Sequence, residues 1–250
     1  IVDCDWSSDV CSSDLDVGAT SIKWTFANPT FERTRRRSTP RPLYPTTLVD
    51  FIAHRARSRN CLSLGVAFPG EVRAGTVIDA ANLTRPMGPG TERSADLATA
   101  WTKYDLEQAL HHELSIPVVV VNDAYAVARS SDEMHGRHLF VVLGTGCGVG
   151  LVDAGEVVAI RDFGDDLFRG RTLDEAVGER ARDTNEQQWK QSLEGVIDYL
   201  AGELSVDMVH VAGGNARRLH PHDLTTSVPV VIDRNVSALR GVFRCLTESS

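Results

Sequence analysis

Leu143-Gly144-Thr145-Gly146-Cys147-Gly148-Val149-Gly150 sets glycine at every second position between two apolar runs, Leu139 to Leu143 and Leu151-Val152. The spacing is not G-x-G-x-x-G, and the stretch joins two strands, not a strand and a helix, so NAD binding is disfavoured. A strand-turn-strand with so little side-chain bulk lets backbone N–H groups approach an anion closely. The Thr145 hydroxyl adds a donor. A plain hairpin needs only one or two glycines; four in the seven residues 144–150 favour a phosphate cradle.

Working outward, Asp153-Ala154-Gly155-Glu156 turns the chain into a further strand, Val157 to Ile160. Leu173 to Arg182 and Trp189 to Leu204 have the spacing of amphipathic helices. Met208 to Ala212 is a strand broken by Gly213-Gly214-Asn215. The first half repeats this style. Asp16 to Phe26 reads as a strand, a Gly18-Ala19-Thr20 turn and a second strand. The polar, Arg-rich stretch from Asn28 to Pro45 is a loop or sheet edge. Thr47 to Ala56 is helical, Leu62 to Phe68 a strand, Asp105 to Leu114 a helix, and Ile116 to Val121 a buried parallel strand. Both halves open on a glycine-and-threonine hairpin followed by an α/β pattern. Two similar α/β lobes with mixed sheets are expected, a smaller one over 16–121 and a larger one over 122–250, with a ligand cleft between them.

Composition bounds the function. The 250 residues (27.3 kDa) are 42% hydrophobic and 24% charged, ordinary for a soluble globular chain. Lys plus Arg is 26 against 34 Asp plus Glu, a net charge of −8 that argues against a broad nucleic-acid surface. No run approaches the ~20 apolar residues of a membrane span, and no signal segment opens the sequence. Five scattered cysteines do not make a disulfide framework, so a reducing cytoplasm is expected.

Asp5 to Leu15 fits no element: it has no period of 2 or 3.6 and no turn logic. Read as codons it resembles a translated sequencing-library adapter joined to a reading frame near Asp16. Residues 1–15 are therefore expected to be artefactual and to pack poorly.

Three further places carry chemistry. Asp16 ends a strand facing its turn, where a carboxylate can hold Mg²⁺ through water, and Lys23 can meet a phosphate; a plain Asp-x-Gly hairpin is the alternative, and these residues alone leave both open. Asn122-Asp123 follows a buried strand and points where α/β proteins place ligands, although Asn and Asp are also the preferred helix caps. One can cap while the other catalyses. Gly213-Gly214-Asn215 would let a nucleotide lie against the backbone, or is a simple strand-to-helix turn.

The order of these motifs resembles that of the actin-like sugar kinases, which carry a ribonuclease H-like fold. Within them it resembles the ROK family, in the manner of the polyphosphate/ATP glucokinases. The likeness includes Thr39-Pro40-Arg41-Pro42, Gly65 to Gly70, Ala80-Ala81-Asn82-Leu83, Val121 to Ala124, Leu143 to Gly148, Gly213 to Ala216 and Asn235 to Gly241. It implies a two-lobed kinase that moves a phosphoryl group from ATP or polyphosphate, with Mg²⁺, to a hexose hydroxyl. Asp123 would be the general base, and Asn82 and Asn122 would hydrogen-bond the sugar. Gly18, Thr20, Lys23, Gly144, Thr145 and Gly146 would straddle the phosphates, Asp16 would serve the metal, and Gly213, Gly214 and Asn215 would meet the nucleoside. A cytoplasmic homodimer is expected, with neither nucleic acid nor membrane as partner.

The likeness breaks at the sugar. Asp162, Asp165 and Asp174 stand where members carry a sugar-contacting Glu, His and Glu. Asp is one methylene shorter than Glu and, ionised, donates no hydrogen bond. Ala19 replaces a turn glycine. The zinc-binding cysteines of many members are absent, so no zinc is expected. Arg33, Arg35, Arg36, Arg37 and Arg41 read as a solvated loop, with a track for a polyanionic donor as the sharper alternative. Two other functions are weighed: a non-catalytic sugar-binding regulator, and a degenerate kinase used as an assembly partner.

Overall fold

The computed structural model describes residues 12–26, 34–88, 91–131, 134–220 and 222–248. In the first half, β1 (Ser12–Val17) turns back into β2 (Ser21–Phe26), and β3 (Arg35–Ser38) lines the outer edge of β2. α1 (Pro45–Arg57) begins with proline, whose missing N–H costs nothing in a first turn. It buries Leu48, Ile52 and Ala56 at helical spacing. β4 (Ser63–Phe68) follows. β5 (Glu71–Arg73), β6 (Thr76–Asp79) and β7 (Tyr104–Asp105) build a small subsheet, with α2 (Ala95–Trp101) between β6 and β7 in sequence. α3 (Leu106–Leu114) is capped by Asp105, which accepts from the Gln108 N–H (2.9 Å), and leads to β8 (Val118–Asn122). The main sheet has the order β3-β2-β1-β4-β8, with β1, β4 and β8 parallel.

The second half repeats it. α4 (Asp123–Arg129) precedes β9 (Arg137–Leu143), β10 (Cys147–Asp153) and β11 (Glu156–Val158). A short hairpin, β12 (Leu167–Phe168) with β13 (Arg171–Thr172), leads into α5 (Leu173–Val177), α6 (Glu179–Thr184) and α7 (Glu186–Leu204). β14 (Met208–Ala212), β15 (Val230–Ile232) and α8 (Ala238–Glu248) complete it. The order β11-β10-β9-β14-β15 matches the first sheet strand for strand, with β9, β14 and β15 parallel. Among the described residues no helix is long and apolar enough to cross a membrane.

Each sheet has its own apolar core: Leu15, Trp24, Leu48, Val66 and Trp101 belong to the first, and Leu139, Val141, Trp189, Leu193 and Val209 to the second. A third cluster joins them, with Ala126 and Ala128 of α4 against Phe140, Ala212 and Val242 of α8. The two helices touch backbone to backbone: a Cβ on Gly241 would stand 1.6 Å from the Ala126 carbonyl oxygen. α8 also packs on β4, β1 and β8. The span 122–250 is therefore not closed on itself, because α8 returns to the first sheet.

Three expectations are corrected. Gly148 to Gly150 belong to β10, since the turn closes at the Leu143–Cys147 pair. The helix expected over Leu173 to Arg182 is two helices, because the chain is extended at Gly178. Residues before Asp16 do not all pack poorly: β1 starts at Ser12, pairs with both β2 and β4, and buries Leu15. The rest of the adapter-like segment, up to Cys11, lies outside the described residues, as does Arg33. Asp14 is nonetheless out of character. It is fully buried over Gly65 beside Val242 and Leu246, and neither carboxyl oxygen meets a hydrogen-bond partner among the described residues. Burial pushes its pKa up to about 8.

Candidate active site

The cleft between the sheets encloses about 1310 Å³ and runs along the ends of β1, β8, β9 and β14. Asp123 lines it as the first residue of α4, positioned by β8. The Asn122 side chain does the capping, accepting from the Tyr125 N–H (2.8 Å), which leaves the Asp123 carboxylate for the cleft. Asp123 Oδ1 accepts from the Ala124 N–H (2.8 Å) and from Asn122 Nδ2 (3.3 Å). Burial, with the charges of Asp16 and Asp162 adding to it, raises the Asp123 pKa to about 7 against the opposing Ala124 N–H and Lys23. Asn122 Nδ2 also donates to the Gly70 carbonyl (2.6 Å). Both ends of the Asn122 amide are thus engaged within the protein, and its visible work is to orient Asp123 and start α4.

The two hairpins face each other across the cleft and touch at their tips, Thr20 Oγ1 to Thr145 Oγ1, 3.1 Å. The first is held from behind. The Gly18 carbonyl accepts from Thr39 Oγ1 (2.6 Å), the Ala19 carbonyl from Arg41 (2.9 Å) and the Thr20 carbonyl from the Thr39 N–H (3.1 Å). Its carbonyls are thus tied back, and the Gly18 N–H closes the turn on the Ser21 carbonyl (3.0 Å). The second is braced at the Gly144 carbonyl, which accepts from the Glu179 N–H (3.0 Å) and Asn215 Nδ2 (2.7 Å). Lys23 pairs with Asp16 (2.6 Å), and both line the cleft. One Asp16 oxygen is therefore already neutralised. Among the described residues no three His, Cys, Asp or Glu side chains converge on a metal position. That donor set fits Mg²⁺ only in the form it commonly takes with phosphates, held by one or two carboxylates and completed by the phosphate oxygens and water.

The sugar-side acids separate. Asp162 lines the cleft; its Oδ1 accepts from the Gly164 N–H (2.9 Å), and burial with nearby carboxylates raises its pKa to about 6. Asp174 also reaches the cleft wall, but both oxygens are engaged: Oδ1 accepts from the Cys147 N–H (2.7 Å) and Oδ2 from Asn82 Nδ2 (2.6 Å). Asp165 turns away, to Arg85 (3.2 Å) and Arg93 (3.8 Å), and Arg93 also binds Asp79 through both oxygens at 2.7 Å. Of the three acids, Asp165 is therefore not among the cleft-lining residues. Gly213, Gly214 and Asn215 line the opposite end with Arg217, Arg218, Arg234 and Arg240.

Sequence reading missed Arg85, Arg93 and the arginines after β14, which no local pattern marks. Thr39 was visible only as part of a likeness, and Arg41 only there and in the Arg-rich stretch, where its tie to the first turn left no mark. The assembled site sets a buried carboxylate whose pKa is raised to about 7 between two glycine turns, which suits it to accept a proton near neutral pH.

Comparison with known proteins agrees with this geometry. No curated protein sequence matches the chain. The structure is similar to an inorganic polyphosphate/ATP-glucomannokinase from Arthrobacter sp. strain KM, with a TM-score of 0.79 and 22% identity over 96% of this chain and 100% of that one. It is also similar to a ROK family glucokinase from Streptomyces griseus solved with glucose and AMPPNP (TM-score 0.64, 16% identity, 95% and 99% covered). A ROK family transcriptional regulator, a homologue of the E. coli MLC protein, matches as well (0.62, 12%, 95% and 78%). At these identities the likeness establishes the fold, which is the two-lobed actin-like one. The sequence profile of the ROK family matches residues 13–159, a span holding both hairpins, Asn82 and Asn122-Asp123, and the chain belongs to that family.

Proposed function

We propose that this protein is a sugar kinase that moves a phosphoryl group from ATP or inorganic polyphosphate to a hexose hydroxyl, with Asp123 as general base. The observation that carries the reading is the Asp123 carboxylate, aimed into the cleft by Asn122 and titrating near 7, where a base is most effective at neutral pH. The sugar O–H bond breaks and its proton passes to Asp123. The sugar oxygen bonds to phosphorus as the bond to the donor oxygen breaks. Phosphoryl transfer needs mainly positioning and charge stabilisation; the Gly18–Thr20 and Gly144–Gly146 turns and Lys23 would supply both. Asp16 would hold Mg²⁺, which supplies neutralisation of the phosphate charge when bound.

Arg36, Arg217, Arg218, Arg234 and Arg240 line the cleft in a chain of net charge −8, which supports a strongly anionic donor. A homodimer in the cytoplasm belongs to the same reading. A second reading, sugar binding without catalysis, is favoured by the altered acids Asp162, Asp165 and Asp174 and by the fold shared with a transcriptional regulator. A coupled assay of the purified protein with ATP or polyphosphate across a panel of hexoses decides between them. Phosphorylation of at least one hexose is expected. Sugar binding with no turnover for any pair would favour the regulator.

A further inference from the structure

Asp174 is the second residue of α5, and three separate parts of the protein meet on it. Its backbone N–H donates to the Gly164 carbonyl (3.0 Å), in the loop that carries Asp162. Its Oδ1 takes the Cys147 N–H at the base of the second hairpin. Its Oδ2 takes Asn82 Nδ2, from a 3₁₀ turn (Ala81–Thr84) of the other lobe. The carboxylate lies flat on Gly146, where a Cβ would stand only 2.2 Å from Oδ1, so the hairpin follows the carboxylate closely.

We infer that Asp174 is a positioning residue that couples the acceptor side of the cleft to the donor hairpin, so that ordering Asn82 tightens the hold on the phosphoryl donor. The functional half rests on the kinase reading; the structural link does not. Asn82 Nδ2 carries two N–H groups. One holds Asp174, and the other remains for a sugar hydroxyl. A sugar that fixes the amide thereby fixes the carboxylate, and the carboxylate fixes the Cys147 amide. Coupling of this kind is reciprocal: a bound donor would tighten acceptor binding by the same factor.

The test uses Asn82→Ala, Asp174→Asn and the double variant in the full chain. Asn82 stands on the acceptor side in the kinase reading, so a purely local role predicts that Asn82→Ala changes the sugar KM alone. Coupling predicts that the donor KM, measured at saturating sugar, also rises by about tenfold, the scale of one charge-assisted hydrogen bond. The donor KM should move more than kcat. Hydrogen exchange of the 143–150 backbone should speed up in the unliganded variant. The double variant should add little to either single one. A donor KM within twofold of the parent, unchanged exchange at 143–150, or additive effects would overturn the inference. If Asp174→Asn does not fold, Asn82→Ala and the milder Asn82→Ser carry the test. If no donor and sugar pair gives turnover, the kinase reading fails. Exchange at 143–150 then decides the structural link alone: faster exchange supports it and unchanged exchange overturns it.

Discussion

The two sheets have one topology and opposite manners at matched positions. Count back three residues from the pair that closes each hairpin, Val17 opposite Ile22 and Leu143 opposite Cys147. In β9 this reaches Phe140, buried and stacked on His210 of the neighbouring β14 at 4.7 Å. In β1 it reaches Asp14, equally buried over Gly65 of β4, with no hydrogen-bond partner for its carboxyl among the described residues. The third parallel strands differ as well. β8 is followed by Asp123, which lines the cleft; β15 is followed by Asp233, which also reaches the cleft wall but lies 3.5 Å from His210 Nδ1. One backbone plan therefore follows each third parallel strand with a carboxylate, one oriented by the adjacent Asn122 and the other set beside His210 of the neighbouring strand.

The strand-end contrast gives the largest expected effect. Asp123→Asn should lower kcat by about 10²–10⁴, the worth of general base catalysis, while Asp233→Asn should stay within a few-fold. Equal losses in a steady-state assay would break the comparison. Because the base must be ionised, kcat/KM should rise with pH through about 7 and then level. Asp162→Asn removes a negative neighbour, so that midpoint should move to lower pH.

Next comes the buried pair. The folded Asp14 carboxyl keeps its proton up to about pH 8, whereas an unfolded aspartate loses it near pH ~4. A folded pKa raised in this way costs stability as pH rises through that window, roughly 4 kcal/mol by pH 7. Asp14→Ala should therefore raise the urea midpoint at pH 7 and flatten its fall between pH 4 and 8, while Phe140→Ala should cost about 3–5 kcal/mol. Loss of stability in Asp14→Ala would mean that the carboxyl has a partner after all.

Within the second hairpin, Gly144 faces open space and Gly146 faces Asp174. Gly146→Ala, whose Cβ would meet the Asp174 carboxylate, should raise the donor KM about tenfold or more; a donor KM within twofold of the parent would refute the brace. The smallest effect belongs to the acceptor end. Asp162→Glu with Asp165→His should lower the glucose KM by a few-fold, since a longer carboxylate and a ring donor can reach a hydroxyl. No change would mean that the sugar does not bind against this wall.

Local signals carried the reading as far as they reach. The hairpins at 16–26 and 139–152 were legible because glycine spacing and strand alternation are written within a dozen residues. Asn122-Asp123 was legible as a pair, and the structure divides it into cap and cleft carboxylate. What was not legible depends on distant partners. Thr39 and Arg41 tie back the first turn's carbonyls from the next strand's far end. Asp165 matches a sugar-contacting position in sequence, and Arg85 and Arg93, about eighty residues upstream, draw it aside. The break at Gly178 was missed because helical spacing continues across it; there the chain folds close under the hairpin, with Thr145 O 2.4 Å from a would-be Cβ.

α8 sets an order of events in folding. β1 and β4 bury their face against a helix that is more than two hundred residues away in sequence from β1. During synthesis the first sheet cannot cover that face with α8 until Ala238 to Glu248 have been made, so the face lacks this partner until then. Contacts this distant in sequence slow folding and lengthen the time in which a bare sheet can meet another chain. Early truncation before α8 should therefore leave both lobes uncovered at their junction, and the chaperone demand of this protein should be set by its first strand and its final helix together.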